Sequence, residues 1–177
     1  WRDHAAKYIA SIHPDIVIVG SSPTYSFSEA DWTDGSKKLL SVLSPAAGHI
    51  YVVRGTPALA FDGPDCLLAQ ADLPKMFSRG DRCHSPSVSP QNDLVYRSLQ
   101  HAASAFDNVS LVDMNDALCP DGQCHAELNG HVVFRDSQHV TASFVASLSD
   151  AFAKRLGALE SAGQPSAGSP GSAAVQH

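Results

Sequence analysis

Asp136 and His139, separated by Ser137 and Gln138, are the residues whose types and spacing best suit acid/base chemistry. In a tight loop before a helix, a carboxylate at that spacing accepts a hydrogen bond from one imidazole nitrogen while the other nitrogen faces a substrate. Such a partner fixes the tautomer and stabilises the imidazolium formed when the histidine takes a proton. That arrangement makes a general base. Asp-x-x-His is also short and common, so spacing alone favours a loop aspartate beside a histidine near a helix N-cap.

The four cysteines are the other reactive set, falling as Cys66 and Cys83, then Cys119 and Cys124. An even count bracketing short, loop-like segments suggests two local disulfides and an oxidising compartment. Cys119-Pro-Asp-Gly-Gln-Cys124 is a turn sequence that would bring its ends together. Free buried thiols are the alternative. A zinc site from Cys119, Cys124, His125 and His131 has spacings that match no structural zinc pattern. No His-x-x-x-His pair occurs among the nine histidines, which leaves metal-dependent hydrolysis without support. We expect no metal and no cofactor.

These residues need elements to position them. Trp1, Ala5, Tyr8, Ile9 and Ile12 repeat at helical spacing, and Pro14 closes that helix. Asp15-Ile-Val-Ile-Val-Gly20 is a continuous β-branched run, the pattern of a strand buried on both faces. After a polar loop (residues 21–30), a helix capped near Thr33 or Asp34 turns Leu39, Leu40 and Leu43 inward. His49-Ile-Tyr-Val-Val53 is a second buried strand, leading into Arg54-Gly-Thr-Pro57. Residues 58–90 are rich in Pro, Asp and Ser and read as irregular. Leu94, Val95, Leu99, Ala102, Ala103 and Phe106 trace another amphipathic helix, and Val109–Asp113 a third strand. Asn129-Gly130 is the strongest two-residue hairpin signal. A last helix runs from about Thr141 to Leu156, with Val140, Phe144, Val145, Leu148 and Phe152 on one face.

Alternating strands and helices predict an α/β layered domain around a mostly parallel sheet. In such sheets the chemistry sits in loops beyond the strand C-termini, here residues 20–25, 54–57 and the approach to His139. The domain is expected over residues 1–157. Residues 158–177, dominated by Ser, Ala, Gly and Pro, are expected to form a disordered tail.

The wider sequence gives Asp136 and His139 their weight. Val112-Asp113, the Cys119–Cys124 loop, the hairpin, and Phe134-Arg-Asp-Ser-Gln-His-Val-Thr141 together resemble the end of the SGNH domains fused behind membrane acyltransferase-3 domains. Trp1-Arg-Asp, His13-Pro-Asp-Ile-Val-Ile-Val19, Thr56-Pro57 and Pro64-Asp-Cys66 extend the resemblance upstream. It covers about residues 1–156.

The resemblance implies a flavodoxin-like, three-layer α/β/α sandwich whose N-terminal strand or strands are missing from this chain. It implies serine-type transfer or hydrolysis of acyl esters, usually acetyl, on cell-envelope polysaccharide, peptidoglycan or lipopolysaccharide. His139 would be the general base and Asp136 its orienting acid. The family's nucleophile lies in a Gly-Asp-Ser motif after the first strand, and no Gly-Asp-Ser occurs here. The chain opens on Trp1, inside a helix, and is expected to be cut from something longer that supplies the serine. The family's oxyanion-hole asparagine would fall after Val19, where this chain reads Gly20-Ser-Ser-Pro-Thr-Tyr25. Gly20, Ser21 and Ser22, by side chain or backbone amide, are the candidate replacements; a solvated turn is the alternative.

Composition narrows the partners. A net charge of −6 invites neither nucleic acid nor an anionic membrane surface. No stretch reaches the roughly 18 apolar residues of a membrane span. The expected partners are an envelope polysaccharide or peptidoglycan acceptor, an acyl donor, and a membrane acyltransferase-3 domain in cis. The expected location is the periplasmic or extracellular face of the envelope. A catalytically incomplete SGNH fold acting as a carbohydrate-binding or scaffold domain is the second reading.

Overall fold

The structure, a computed structural model, describes residues 2–23, 25–72, 82–87 and 90–163. Trp1, where the first helix is expected to begin, Thr24 of the polar loop at residues 21–30, and residues 164–177 of the expected tail lie outside the described residues. Helix α1 (Arg2–Ile12) leads into β1 (Ile16–Gly20), α2 (Glu29–Leu43) and β2 (His49–Val53). Then come α3 (Gly63–Ala71), β3 (His84–Pro86), α4 (Pro90–Ala103) and β4 (Val109–Val112). The last part holds α5 (Asn115–Leu118), β5 (Gln123–His125), β6 (Glu127–Leu128) and β7 (His131–Val132), then α6 (Ala142–Ser147) and α7 (Ser149–Gly163).

β1, β2 and β4 form a parallel sheet in that order, with Ile16 opposite His49 and Val53 opposite Val112. Period-2 alternation assigns its two faces. Ile50 and Val52 of β2 point with Val17 of β1 into a core closed by Ala6 of α1, Leu40 and Leu43 of α2, and Val95 and Leu99 of α4. Tyr51 points the other way and, with Val112 and Met114, meets Phe152, Leu156 and Leu159 of α7. Helices on both faces of a parallel sheet make the three-layer α/β/α sandwich that the sequence predicts.

β1 departs from expectation. It is an edge strand, paired among the described residues only with β2, and α7 covers β2 and β4 rather than β1. Ile16 and Ile18 therefore stand 50% and 53% exposed on the uncovered face, instead of buried. Composition alone does not separate a doubly covered strand from one covered on a single face.

Other corrections are local. α2 begins at Glu29, not near Thr33, because Ser28 and Asp31 form a reciprocal capping box. Thr33 is buried, while Leu39 lies at the helix margin and is 36% exposed. Within 58–90, residues read as irregular, α3 forms where Asp62 caps the backbone N–H of Asp65 and Pro64 occupies the first turn. The C-terminal helix breaks at Leu148 into α6 and α7, and Val145 is 54% exposed. α7 runs on to Gly163, past the expected boundary, because Phe152, Leu156 and Leu159 keep a helical stripe against the sheet.

A second, smaller core holds the C-terminal loops. Cys66 is bonded to Cys83, and Cys119 to Cys124. Around them pack Leu59, Leu118, Ala126, Val133, Phe134 and Phe144. Asn129 and Gly130 both take positive φ (52° and 78°), the backbone of a tight hairpin turn between β6 and β7. The disulfides close loops of different length, with sequence separations of 17 and 5. By loop-closure entropy, replacing Cys66 and Cys83 with Ser should lower unfolding free energy by about 3 kcal/mol, and replacing the Cys119 pair by about 2 kcal/mol. Denaturant titration measures this, and free thiol in the unreduced protein would contradict the pairing.

Candidate functional site

The site forms where three loops meet at the C-terminal rim of the sheet. Val133 and Phe134, fully buried in the smaller core, anchor the start of the loop that carries Asp136 and His139. The loop closes on itself through a bridge between Phe134 and Val140 and a hydrogen bond from Arg135 N–H to the His139 carbonyl (2.9 Å). Thr141 then caps α6 by accepting from the Phe144 N–H (3.2 Å).

Inside that loop, Asp136 Oδ1 accepts from the backbone N–H groups of Gln138 and His139, both at 2.7 Å. Its Oδ2 lies 2.8 Å from His139 Nδ1. The two backbone donors, Gln138 first, hold the Asp136 carboxyl down at about 2, and the imidazole adds a smaller pull. The group is thus a carboxylate at any ordinary pH and can only accept. The proton between them accordingly sits on Nδ1. Nε2 is left as the imidazole nitrogen that can exchange a proton with another group. Asp136 and His139, expected as a pair from the family resemblance, are in contact.

His139 lines a cleft of about 440 Å³ with Gln138, Ser21, Ser22, Pro23, Thr56, Ala58 and Gln91. His139 is the one titratable side chain among the described residues of that lining. Of the three candidate oxyanion residues, Ser21 and Ser22 reach the cleft. Gly20 ends β1 opposite Val53 and is not among the lining residues. The Ser21 hydroxyl donates to the Val53 carbonyl (3.1 Å), so that side chain ties its loop to β2. Gly55 must lack a side chain because the 21–23 segment crosses it: a Cβ there would lie 2.9 Å from Pro23 Cδ.

The segment after β2 links the two other loops. Its Leu59 N–H donates to the Ser137 carbonyl (2.8 Å), and the Thr56 hydroxyl to the Gln138 carbonyl (3.3 Å). Behind it, Arg54 is gripped by Asp113 at the end of β4 (2.7 Å) and by Asp93 of α4, and lies 4.5 Å from the Tyr96 ring centre. Burial, then the nearby Asp113 charge, push the Tyr96 hydroxyl's pKa up. Asn92, 3% exposed, donates to the carbonyls of Gly55 (3.0 Å) and Thr56 (3.2 Å). Sequence reasoning missed Gln91 and Asn92. Their one signal is a polar pair at the head of a helix that starts on the catalytic side of a parallel sheet.

Among the described residues no cluster of three or more His, Cys, Asp or Glu could hold a metal. The suggested zinc set loses Cys119 and Cys124 to their mutual disulfide.

Two measurements check this geometry. Carbon-detected NMR titration should place Asp136 near pH 2, and it should stay well below the usual carboxylate range in His139→Ala because the backbone donors dominate. Its folded-state value is depressed, so its stabilising contribution is complete above the unfolded value and is lost as pH falls toward 2. An ordinary midpoint would refute the loop geometry. Asn92→Ala leaves two carbonyls without their buried donor and should cost about 2 kcal/mol in urea denaturation. A loss below about 0.5 kcal/mol would show that Asn92 does not hold the 55–56 turn.

The family model described as "SGNH domain (fused to AT3 domains)" matches residues 1–154. The periplasmic domain of a lipopolysaccharide acetyltransferase from Salmonella ser. Paratyphi A has a similar fold, with a TM-score of 0.63 at 13% sequence identity. The similarity covers 89% of this chain and 61% of that one, so this chain accounts for under two thirds of that structure's length. No curated protein matches the sequence. With nearly all of its described residues inside the family match, the chain belongs to the SGNH domains that occur fused to AT3 domains.

Proposed function

We propose that this chain carries the acid/base half of a serine-type O-acyltransferase or esterase that moves acyl groups, acetyl foremost, on cell-envelope polysaccharide. The carrying observation is the 2.8 Å contact between Asp136 Oδ2 and His139 Nδ1 at the wall of the cleft. His139 Nε2 takes the proton from a serine hydroxyl as that oxygen attacks the acyl carbonyl. Asp136 stabilises the imidazolium, and the proton passes to the departing donor oxygen when the tetrahedral species collapses. In the second half a sugar hydroxyl or water attacks the acyl-serine. Nε2 takes that proton and returns it to the serine oxygen as the carbonyl re-forms. Backbone N–H groups of the Ser21–Ser22 turn are the donors we assign to the oxyanion.

This sequence contains no Gly-Asp-Ser, and in this reading the serine is supplied from outside it. We assign it to an upstream strand that adds in parallel to the open edge of β1. A strand paired there would end at the rim that already holds Ser21 and His139. Two disulfides support an oxidising compartment, and with the family's AT3 fusion they support a periplasmic domain tethered to a membrane acyltransferase-3 domain that hands on the acyl group. Peptidoglycan remains an acceptor within the same chemistry.

In a polypeptide restored with the upstream segment, His139→Ala should cut hydrolysis of 4-nitrophenyl acetate by at least about 100-fold with the fold intact by circular dichroism. Asp136→Asn should lower it too. Undiminished activity in His139→Ala would sink the acyl-transfer reading. A restored polypeptide with no esterase activity that still bound polysaccharide would favour the carbohydrate-binding alternative.

A further inference from the structure

Three consecutive residues near the start of α4, Gln91, Asn92 and Asp93, each reach a different point of the rim, and the acyl-transfer steps use none of them. Gln91 donates from Nε2 to the Tyr25 carbonyl (3.2 Å), in the loop that follows β1. Asn92 donates from Nδ2 to the Gly55 and Thr56 carbonyls, in the segment that follows β2. Asp93 pairs with Arg54, where that segment begins. Adjacent residues on a helix point about 100° apart while their backbones stay rigidly spaced. One stiff turn therefore fans out to two separate stretches of chain.

Those stretches supply different parts of the cleft. Ser21, Ser22 and Pro23 come from the loop after β1, Thr56 and Ala58 from the segment after β2, and Gln138 and His139 from the acid/base loop. The last two are already joined, through the Thr56 hydroxyl to the Gln138 carbonyl and the Leu59 N–H to the Ser137 carbonyl. Asn92 thus acts on His139 through Thr56, and Gln91 on Ser21 and Ser22 through Tyr25. A carbonyl oxygen only accepts, so the Gln91 carboxamide must turn its NH2 toward Tyr25. Ser22 and Tyr25 have other interactions too, so Gln91 is one tether among several. Its distinction is that it leaves the same helical turn that supports the His139 side.

We propose that Gln91 is a positioning residue that, with Asn92, sets the separation between the Ser21–Ser22 turn and His139. The kinetic consequence rests on the acyl-transfer reading, in which that turn supplies the oxyanion donors and His139 the base. Both must lie about 3 Å from the reacting atoms at once. A misplacement of about 1 Å can cost roughly 100-fold. The geometric claim, one turn of α4 governing both sides, stands apart from that reading.

The structural arm uses the ¹⁵N-labelled 177-residue chain. Gln91→Glu keeps the side chain's size but sets a carboxylate against the Tyr25 carbonyl, and Gln91→Ala removes the tether outright. Both should move the backbone amide signals of Ser21 and Ser22 and leave those of Ser137 and His139 in place. The kinetic arm uses the polypeptide restored with the upstream segment. There Gln91→Glu should lower kcat for 4-nitrophenyl acetate about tenfold, with KM within about twofold and the urea midpoint unchanged. Ser21 and Ser22 signals that stay put in both variants would overturn the positioning role. So would an unchanged kcat, or a kcat loss that follows a fall in the urea midpoint. Full activity in Gln91→Glu beside an inactive His139→Ala removes the role and leaves acyl transfer standing. A parent polypeptide without esterase activity defeats the acyl-transfer reading instead, and the amide signals then decide the geometric claim by themselves.

Discussion

A guanidinium at the end of β2 sits between the carboxylates of Asp93 and Asp113, and the rim of the sheet is arranged around it. Arg54 is the first residue after β2, Asp113 the first after β4, and Asp93 lies in the first turn of α4. Three elements are thus joined by one cation whose side chain is only 17% exposed. Removing either neighbour would leave part of a largely desolvated charge uncompensated, and that asymmetry resists rearrangement. Asn92 sits one residue before Asp93 and fixes the backbone of Gly55 and Thr56. That short turn then supports the His139 loop from behind.

The acid/base pair is held differently. Asp136 lies in an exposed loop, yet its carboxylate is engaged by two backbone donors of the same loop as well as by the imidazole. The loop's conformation and the histidine's tautomer therefore depend on the same four-residue segment. Orientation comes from local hydrogen bonds rather than from burial. Such a pair can stay at the wall of an open cleft.

How much of this was legible in the sequence depended on the range of the forces involved. The β2 and β4 runs, the Asn129-Gly130 turn and the amphipathic stripe of α4 depend on neighbours within a few residues, and composition displays them. The Asp136–His139 contact was readable because its partners are three residues apart, although the loop and hairpin before it were needed to give it weight. Ile16 and Ile18 misled because a β-branched run looks the same whether one face or two are covered. The Ser28–Asp31 capping box was present in the sequence, but Thr33 and Asp34 offered a competing start. Asn92 was out of reach: its importance comes from carbonyls 36 and 37 residues away, which no local pattern marks.

The bare side of β1 has a bearing on the chain as a material. Ile16-Val-Ile-Val-Gly20 contains no charge and no proline, the features by which natural sheets discourage edge-to-edge joining. Its outer backbone groups and two half-exposed isoleucines are a template for any extended segment, including the same strand of another copy. A strand paired along these five residues would keep the protein dispersed as well as extend its sheet.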